Sequence, residues 1–249
     1  MRFLQTLASY VPGIIVEQLM HGESLQVPFR KQYETVCVFC DISGFTKLSE
    51  EMARTGKGAE GVSRNINKYF QMMVKIISSG GGDVLKFAGD AMIVLWPDGD
   101  DEKISVRLHR ATQCAVYIQQ KLDQATIEDS VQLSVKIGIG VGMVSVIHIG
   151  GTHKRMEYLA VGDPLIQAFH AEHHAISGQV MCSPQVWKLL QDAGFACEKE
   201  FEDGFVSIDV QVRRGKVFCF GYFFPSSLIR LFFCLFSLLL FCFVLPLDE

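Results

Sequence analysis

No lysine- and arginine-rich run interrupts this chain, and its formal net charge of −4 supplies no basic face. Nucleic acid is therefore not an expected partner, because a phosphate backbone is held by clustered cations. A clean signal peptide is also lacking: Pro12, Gly13 and Glu17 interrupt any apolar core near the start, which points to a cytoplasmic chain. The eight cysteines include no CxxC pair with a partner pair. Cys37-x-x-Cys40 sits in a predicted strand, where residues at that spacing point to opposite faces. Cys114 falls in a predicted helix and Cys182 and Cys219 in strands, so reduced, buried thiols are expected rather than a disulfide framework. Charge is missing from one long stretch. Leu231–Leu247 is seventeen uncharged residues, flanked by Arg230 and by Asp248-Glu249. As a helix it would span about 25 Å, at the short limit for crossing a bilayer. Two readings stay open: an anchor that leaves the rest of the chain cytosolic, or an alternative end never selected to span a membrane.

What is present is enough for a proper core. Of 249 residues, 49% are hydrophobic and 20% charged, which allows one large domain or two small ones. Residues 1–33 read as a helical lead-in with a polar break at His21–Ser24. A strand is predicted over Thr35–Cys40, then helices over Lys47–Arg54 and Val62–Ser79, the second ended by Gly80-Gly81-Gly82. Asp83–Ala88 and Ala91–Trp96 form a hairpin with Gly89-Asp90 at its tip. A helix over Ile104–Leu122 follows, then a long β-type segment over Val131–Val146 with glycines at 138, 140 and 142. Tyr158–Val161 is a strand, and Pro164 opens a helix through His174. Further strands are predicted at 179–182, 205–212 and 216–222, with a helix over Pro184–Gln191. The order implies an α+β sandwich around a ferredoxin-like split βαβ core, with a hydrophobic C-terminal tail.

Two segments carry chemistry. Val36–Thr46 (VCVFCDISGFT) and Leu85–Ala91 (LKFAGDA) each deliver one aspartate, Asp41 or Asp90, from an apolar run to a tight turn. Paired carboxylates at neighbouring strand ends can hold divalent cations, and the amides after Asp41 can receive phosphate. Either aspartate alone could be an N-cap or a turn residue; the pair in this context points to a metal–nucleotide site. His170, His173 and His174 lie on a polar helix end and read as a solvated or capping face rather than a metal cluster.

With DISGFT, GGDVLKFAGDAMIVLW, VKIGIGVG and EYLAVGDP, the chain resembles the catalytic domain of the class III nucleotidyl cyclases, and most of all the first cyclase domain of the bicarbonate-responsive soluble adenylyl cyclases. The resemblance implies a cyclase domain over residues 34–222, with the tail at 223–249. It implies conversion of ATP to cyclic AMP and pyrophosphate with two Mg²⁺ ions, which Mn²⁺ can replace. Asp41 and Asp90 match the metal ligands, and the Ile42 carbonyl the usual extra one. Ser43, Gly44, Phe45 and Thr46 match the phosphate-holding amides, and Lys136 a lysine that contacts the nucleotide. Lys86 and Ala160 mark the degenerate second site where the soluble cyclases bind bicarbonate, and Phe169 stands where an arginine is expected there.

The chain departs from the pattern of an autonomous homodimer at three positions. Counted from Gly162, the base reader falls on Leu159, the ribose-orienting asparagine on Ile166 and the transition-state arginine on His170. Leucine and isoleucine offer no polar group, and a largely neutral histidine does not replace a guanidinium on phosphate. The expectation is a metal-carrying half-site that needs a second cyclase domain. The alternatives are a catalytically inactive regulatory or dimerisation module, and a guanylyl cyclase, which Lys86 disfavours.

Overall fold

The computed structural model describes residues 11–20, 27–56, 58–97, 102–122, 133–150, 153 and 156–210. The predicted strand at 216–222, Cys219 and the 231–247 run lie outside them. Among the described residues no helix is long and apolar enough to cross a membrane.

The elements in chain order are α1 (Gly13–Met20), β1 (Phe29–Ser43), α2 (Phe45–Arg54), α3 (Gly58–Ser79), β2 (Asp83–Ala88), β3 (Ala91–Trp96) and α4 (Ile104–Leu122). They continue with β4 (Ser134–Gly150), β5 (Met156–Val161), α5 (Asp163–His174), β6 (Val180–Cys182), α6 (Pro184–Leu190), β7 (Cys197–Glu200) and β8 (Val206–Ile208). One eight-stranded sheet runs β2-β3-β1-β4-β6-β8-β7, with β5 paired to β4 beside this path. Its first four strands stand in the order of a split βαβ unit, as expected of an α+β fold. The helical lead-in expected as far as residue 33 ends earlier, because Phe29–Tyr33 already pairs with the far end of β4.

Strict alternation along β1 sorts its side chains between two cores. Val36, Val38, Cys40 and Ile42 face the larger core, built with α2, α3, α4 and α6. Tyr33, Cys37 and Phe39 face the smaller one, covered by α1 and α5. Cys37 and Cys40 thus point to opposite faces. Cys114 and Cys182 are also buried free thiols, whereas Cys197 is exposed on β7, contrary to the expectation of burial.

The register of β4 against β1 puts Lys136, Gly138, Gly140, Gly142, Val144 and Val146 on the α5 side. Those glycines let the helix backbone lie directly on the strand. A Cβ at Gly138 would be 2.1 Å from the Ala168 carbonyl oxygen, and one at Gly140 2.2 Å from that of Pro164. Gln167 reinforces the contact: its Oε1 accepts from the Val141 amide at 3.1 Å and its Nε2 donates to the Val141 carbonyl at 3.2 Å.

The N-terminal helix is tied down by a residue distant in sequence. Asp83, at the start of β2, accepts from the amides of Gly13 and Ile14 at 2.9 and 3.0 Å. Further along, the Gln18 amide donates to the Tyr33 hydroxyl at 2.8 Å, and its Oε1 lies 2.9 Å from His148 Nε2.

Candidate active site

β1 and the β2–β3 hairpin build the site by ordinary strand pairing. Asp41 sits opposite Ala91 of β3 and Lys136 of β4, so it lies at the end of a central strand with neighbours on both edges. The hairpin turns at Gly89, whose φ of 68° favours glycine, and presents Asp90 beside it. The Ile42 amide donates to the Asp90 carbonyl at 3.2 Å, stitching the hairpin tip to β1. The structure therefore brings Asp41, Ile42 and Asp90 together, as the sequence predicts.

Just past them the chain turns at Gly44, with φ at 100°, into the first turn of α2. The Leu48 amide reaches the Gly44 carbonyl, so the amides before it stand at a helix start, where anions are favoured. Ser43–Thr46 thus lead into this helix start. The helix start adjoins the two aspartates.

The electrostatics fit a divalent cation. Burial pushes the Asp41 carboxyl above its ordinary range, and the neighbouring carboxylates of Asp90 and Glu172 push it further, while Lys136 pulls it down. Asp41 is half-buried and Asp90 exposed. Carboxylates crowded against one another at an accessible strand end are stabilised by a bound hard cation, and Asp41, the Ile42 carbonyl and Asp90 are the groups placed to hold it.

Lys136 does not reach into open solvent. Its ammonium lies 3.8 Å from Asp41 Oδ2 and makes a short ion pair with Glu172 Oε1. Glu172 is a site residue that the sequence reading missed. It sits on α5, and its approach to Lys136 depends on the missing side chain of Gly138, which lies against the Glu172 backbone. A lysine two residues before a glycine, on the same strand face, was the only available signal, and it says nothing until α5 is known to pack there.

The remaining predicted positions lie on β2, β5 and α5. Lys86 is exposed on β2, just past a register shift. Ala160 is partly buried and packs against the smaller core with Tyr158, so its methyl group offers little to a ligand. Between those elements the Tyr158 hydroxyl donates to the Leu85 carbonyl at 2.9 Å. Leu159 and Ile166 are 47% and 54% exposed, and His170 is exposed one turn after Ile166. Phe169 packs against Phe39 with ring centroids 4.3 Å apart and planes tilted by 50°. Of the three histidines, His170 and His173 are exposed, while His174 lies 3.1 Å from Asp203 and stacks on Phe205. Among the described residues no histidine, cysteine, aspartate or glutamate cluster forms a separate metal centre.

Residues 29–223 match the family model described as the adenylate and guanylate cyclase catalytic domain. The chain belongs to this family. Its members include a relative in Rattus norvegicus, adenylate cyclase type 10, which is 29% identical over 192 residues. That match covers 76% of this chain but 12% of the relative, so the chain spans a small part of that protein's length. An adenylate cyclase of Anabaena cylindrica is 28% identical over 223 residues, covering 86% of this chain and 41% of the relative. Among solved structures, the adenylyl cyclase CyaB from P. aeruginosa superposes with a TM-score of 0.62 at 23% identity, over 75% of this chain and 98% of that one. A bacterial light-regulated adenylyl cyclase gives 0.65 at 20% identity, over 84% and 60%. At such identities the structural likeness speaks for the fold, which is that of the cyclase catalytic domains.

Proposed function

We propose that this chain is the metal-carrying half of an adenylyl cyclase site, turning ATP into cyclic AMP and pyrophosphate together with a second cyclase domain. The observation that carries the reading is the convergence of Asp41, Asp90 and the α2 helix start at one end of the sheet. Adenylate rather than guanylate cyclase is favoured by the names of the relatives and by Lys86.

In this reaction the ribose 3′ oxygen attacks the α-phosphorus, the bond to pyrophosphate breaks, and the hydroxyl proton is lost. Divalent cations, Mg²⁺ or in its place Mn²⁺, would supply neutralisation of the phosphates and acidify the 3′ hydroxyl. Asp41, the Ile42 carbonyl and Asp90 would hold those cations. The amides of Ser43 to Thr46 would receive the terminal phosphates, and Lys136 would add its charge to the nucleotide. Lys86, Ala160 and Phe169 leave a bicarbonate clamp incomplete, so sensitivity to that anion is not part of the proposal.

A second domain is part of it for two reasons. Leu159, Ile166 and His170 provide no base reader, amide or guanidinium. Met143, Leu159 and Val161 on the β4–β5 ribbon, with Ile166 and Phe169 on α5, leave large apolar side chains exposed, as surfaces awaiting a partner do. The same residues favour the rival reading, a regulatory module that pairs with a complete cyclase domain.

One assay separates the two. Cyclic AMP formation is measured with Mg²⁺ or Mn²⁺, on the chain alone and mixed with a cyclase domain that carries the asparagine and arginine. The half-site reading expects turnover only in the mixture, and a loss of about 10²-fold or more on Asp41→Asn or Asp90→Asn. Mixed activity indifferent to both substitutions would leave the regulatory module standing.

A further inference from the structure

Lys136 stands between two carboxylates and is not shared evenly. Its contact with Glu172 is the short one, while Asp41 Oδ2 is 3.8 Å away. Glu172 itself is only 9% exposed, held by a helix whose backbone rests on Gly138 and Gly140. A buried carboxylate is retained at a cost unless it is paired, and Lys136 is the pairing partner that the structure provides.

An ammonium free to settle on Asp41 would block it. It would occupy the carboxylate oxygens by a charge-assisted contact and repel any incoming cation. We propose that Glu172 is a positioning residue that draws the Lys136 ammonium off Asp41, leaving the Asp41 oxygens open to a divalent cation and the ammonium turned toward the nucleotide. This rests on the reading of Asp41 and Asp90 as the metal pair.

The test is Mn²⁺ binding to the full chain without nucleotide, so that only the protein's own ligands are read, followed by electron paramagnetic resonance of the free ion. Four proteins are compared: the wild type, Glu172→Gln, Lys136→Gln and the double variant. If Glu172 holds the ammonium away, Lys136→Gln changes Mn²⁺ affinity little in the wild-type background. In the Glu172→Gln background it raises affinity by about tenfold more, the non-additivity expected of groups in contact. Equal effects of Lys136→Gln in both backgrounds would mean simple additive charges and would overturn the proposal. Glu172→Asp keeps the charge with a shorter reach and should restore most of the affinity lost in Glu172→Gln; it also serves if the glutamine variant does not fold. Asp41→Asn tells the two readings apart. If it abolishes Mn²⁺ binding while the cycle is additive, only the role of Glu172 falls. If Mn²⁺ binding ignores it, the metal-pair reading falls and takes this proposal with it.

Discussion

Replacing Gly138 by alanine adds one methyl group at the contact on which both the packing of α5 and the geometry of the site depend. The backbone at Gly138 is ordinary, so the cost is purely steric. The new Cβ would sit 2.1 Å from the Ala168 carbonyl oxygen and 2.4 Å from the Glu172 nitrogen. Both are backbone atoms that no side-chain rotation can clear, so α5 must retreat by about 1 Å to restore normal contact. A gap of that size forfeits about a quarter to a half of the attraction in each contact it opens. The contacts affected are those of Leu165, Ala168 and Ala171, all buried. We expect a loss of about 3 kcal/mol, the upper end of ordinary overpacking. With a urea slope of about 2 kcal/mol/M, the unfolding midpoint should fall by about 1.5 M. Gly56→Ala is the control. Its φ of 72° is unfavourable for alanine, but nothing lies within 4 Å, so it should cost only about 1 kcal/mol. A Gly138→Ala midpoint no lower than that of the control would refute the close-approach account of α5.

Asp83→Ala leaves the Gly13 and Ile14 amides without their acceptor and should cost about 1–2 kcal/mol, read as a lower urea midpoint. Asp83→Asn, which retains one acceptor oxygen, should lose less. Burial lowers the His148 pKa from 6.5, so the unfolded chain takes up a proton first as the solution is acidified. Stability should therefore fall as pH drops below about 6.5 toward the lowered folded value, and His148→Gln should flatten that acid-side slope in unfolding measured from pH 7 to 5. If Leu231–Leu247 is an anchor, the full chain expressed in cells should pellet with membranes and resist alkaline carbonate while residues 1–222 stay in the supernatant. Identical fractionation of both forms as soluble protein would dismiss the anchor.

Much of this molecule could be read from its residues where a periodic pattern met a clear stop. The spans of β2, β3 and α4 match the prediction residue for residue, because apolar alternation or helical spacing ends at Gly89, Pro97 and a polar run after Leu122. β1 begins earlier than expected since Phe29–Glu34 carries charged residues and exposes Arg30, Gln32 and Glu34, so pairing with β4 extends the strand although Tyr33 is the one side chain there that is buried. β7 escaped notice for the same reason: Cys197–Glu200 is exposed throughout and is a strand only through its bonds to β8. In the site, Asp41 and Asp90 were legible because the turn chemistry around each is local. Glu172 was not, because it meets Lys136 across the α5–β4 contact, and no local pattern encodes which helix lies on which strand.

The capping of α1 by Asp83 has a consequence for how the domain opens and closes. An eight-residue helix does not persist by itself in water, so α1 exists only while β2 presents its carboxylate and the smaller core accepts Ile14 and Ile15. The same β2 runs on to the hairpin tip that carries Asp90. Amide hydrogen exchange in α1 is therefore a remote gauge of the hairpin: any event that loosens β2 should unprotect Gly13–Met20 in the same step, and a cation bound at Asp90 should slow exchange in a helix it never touches.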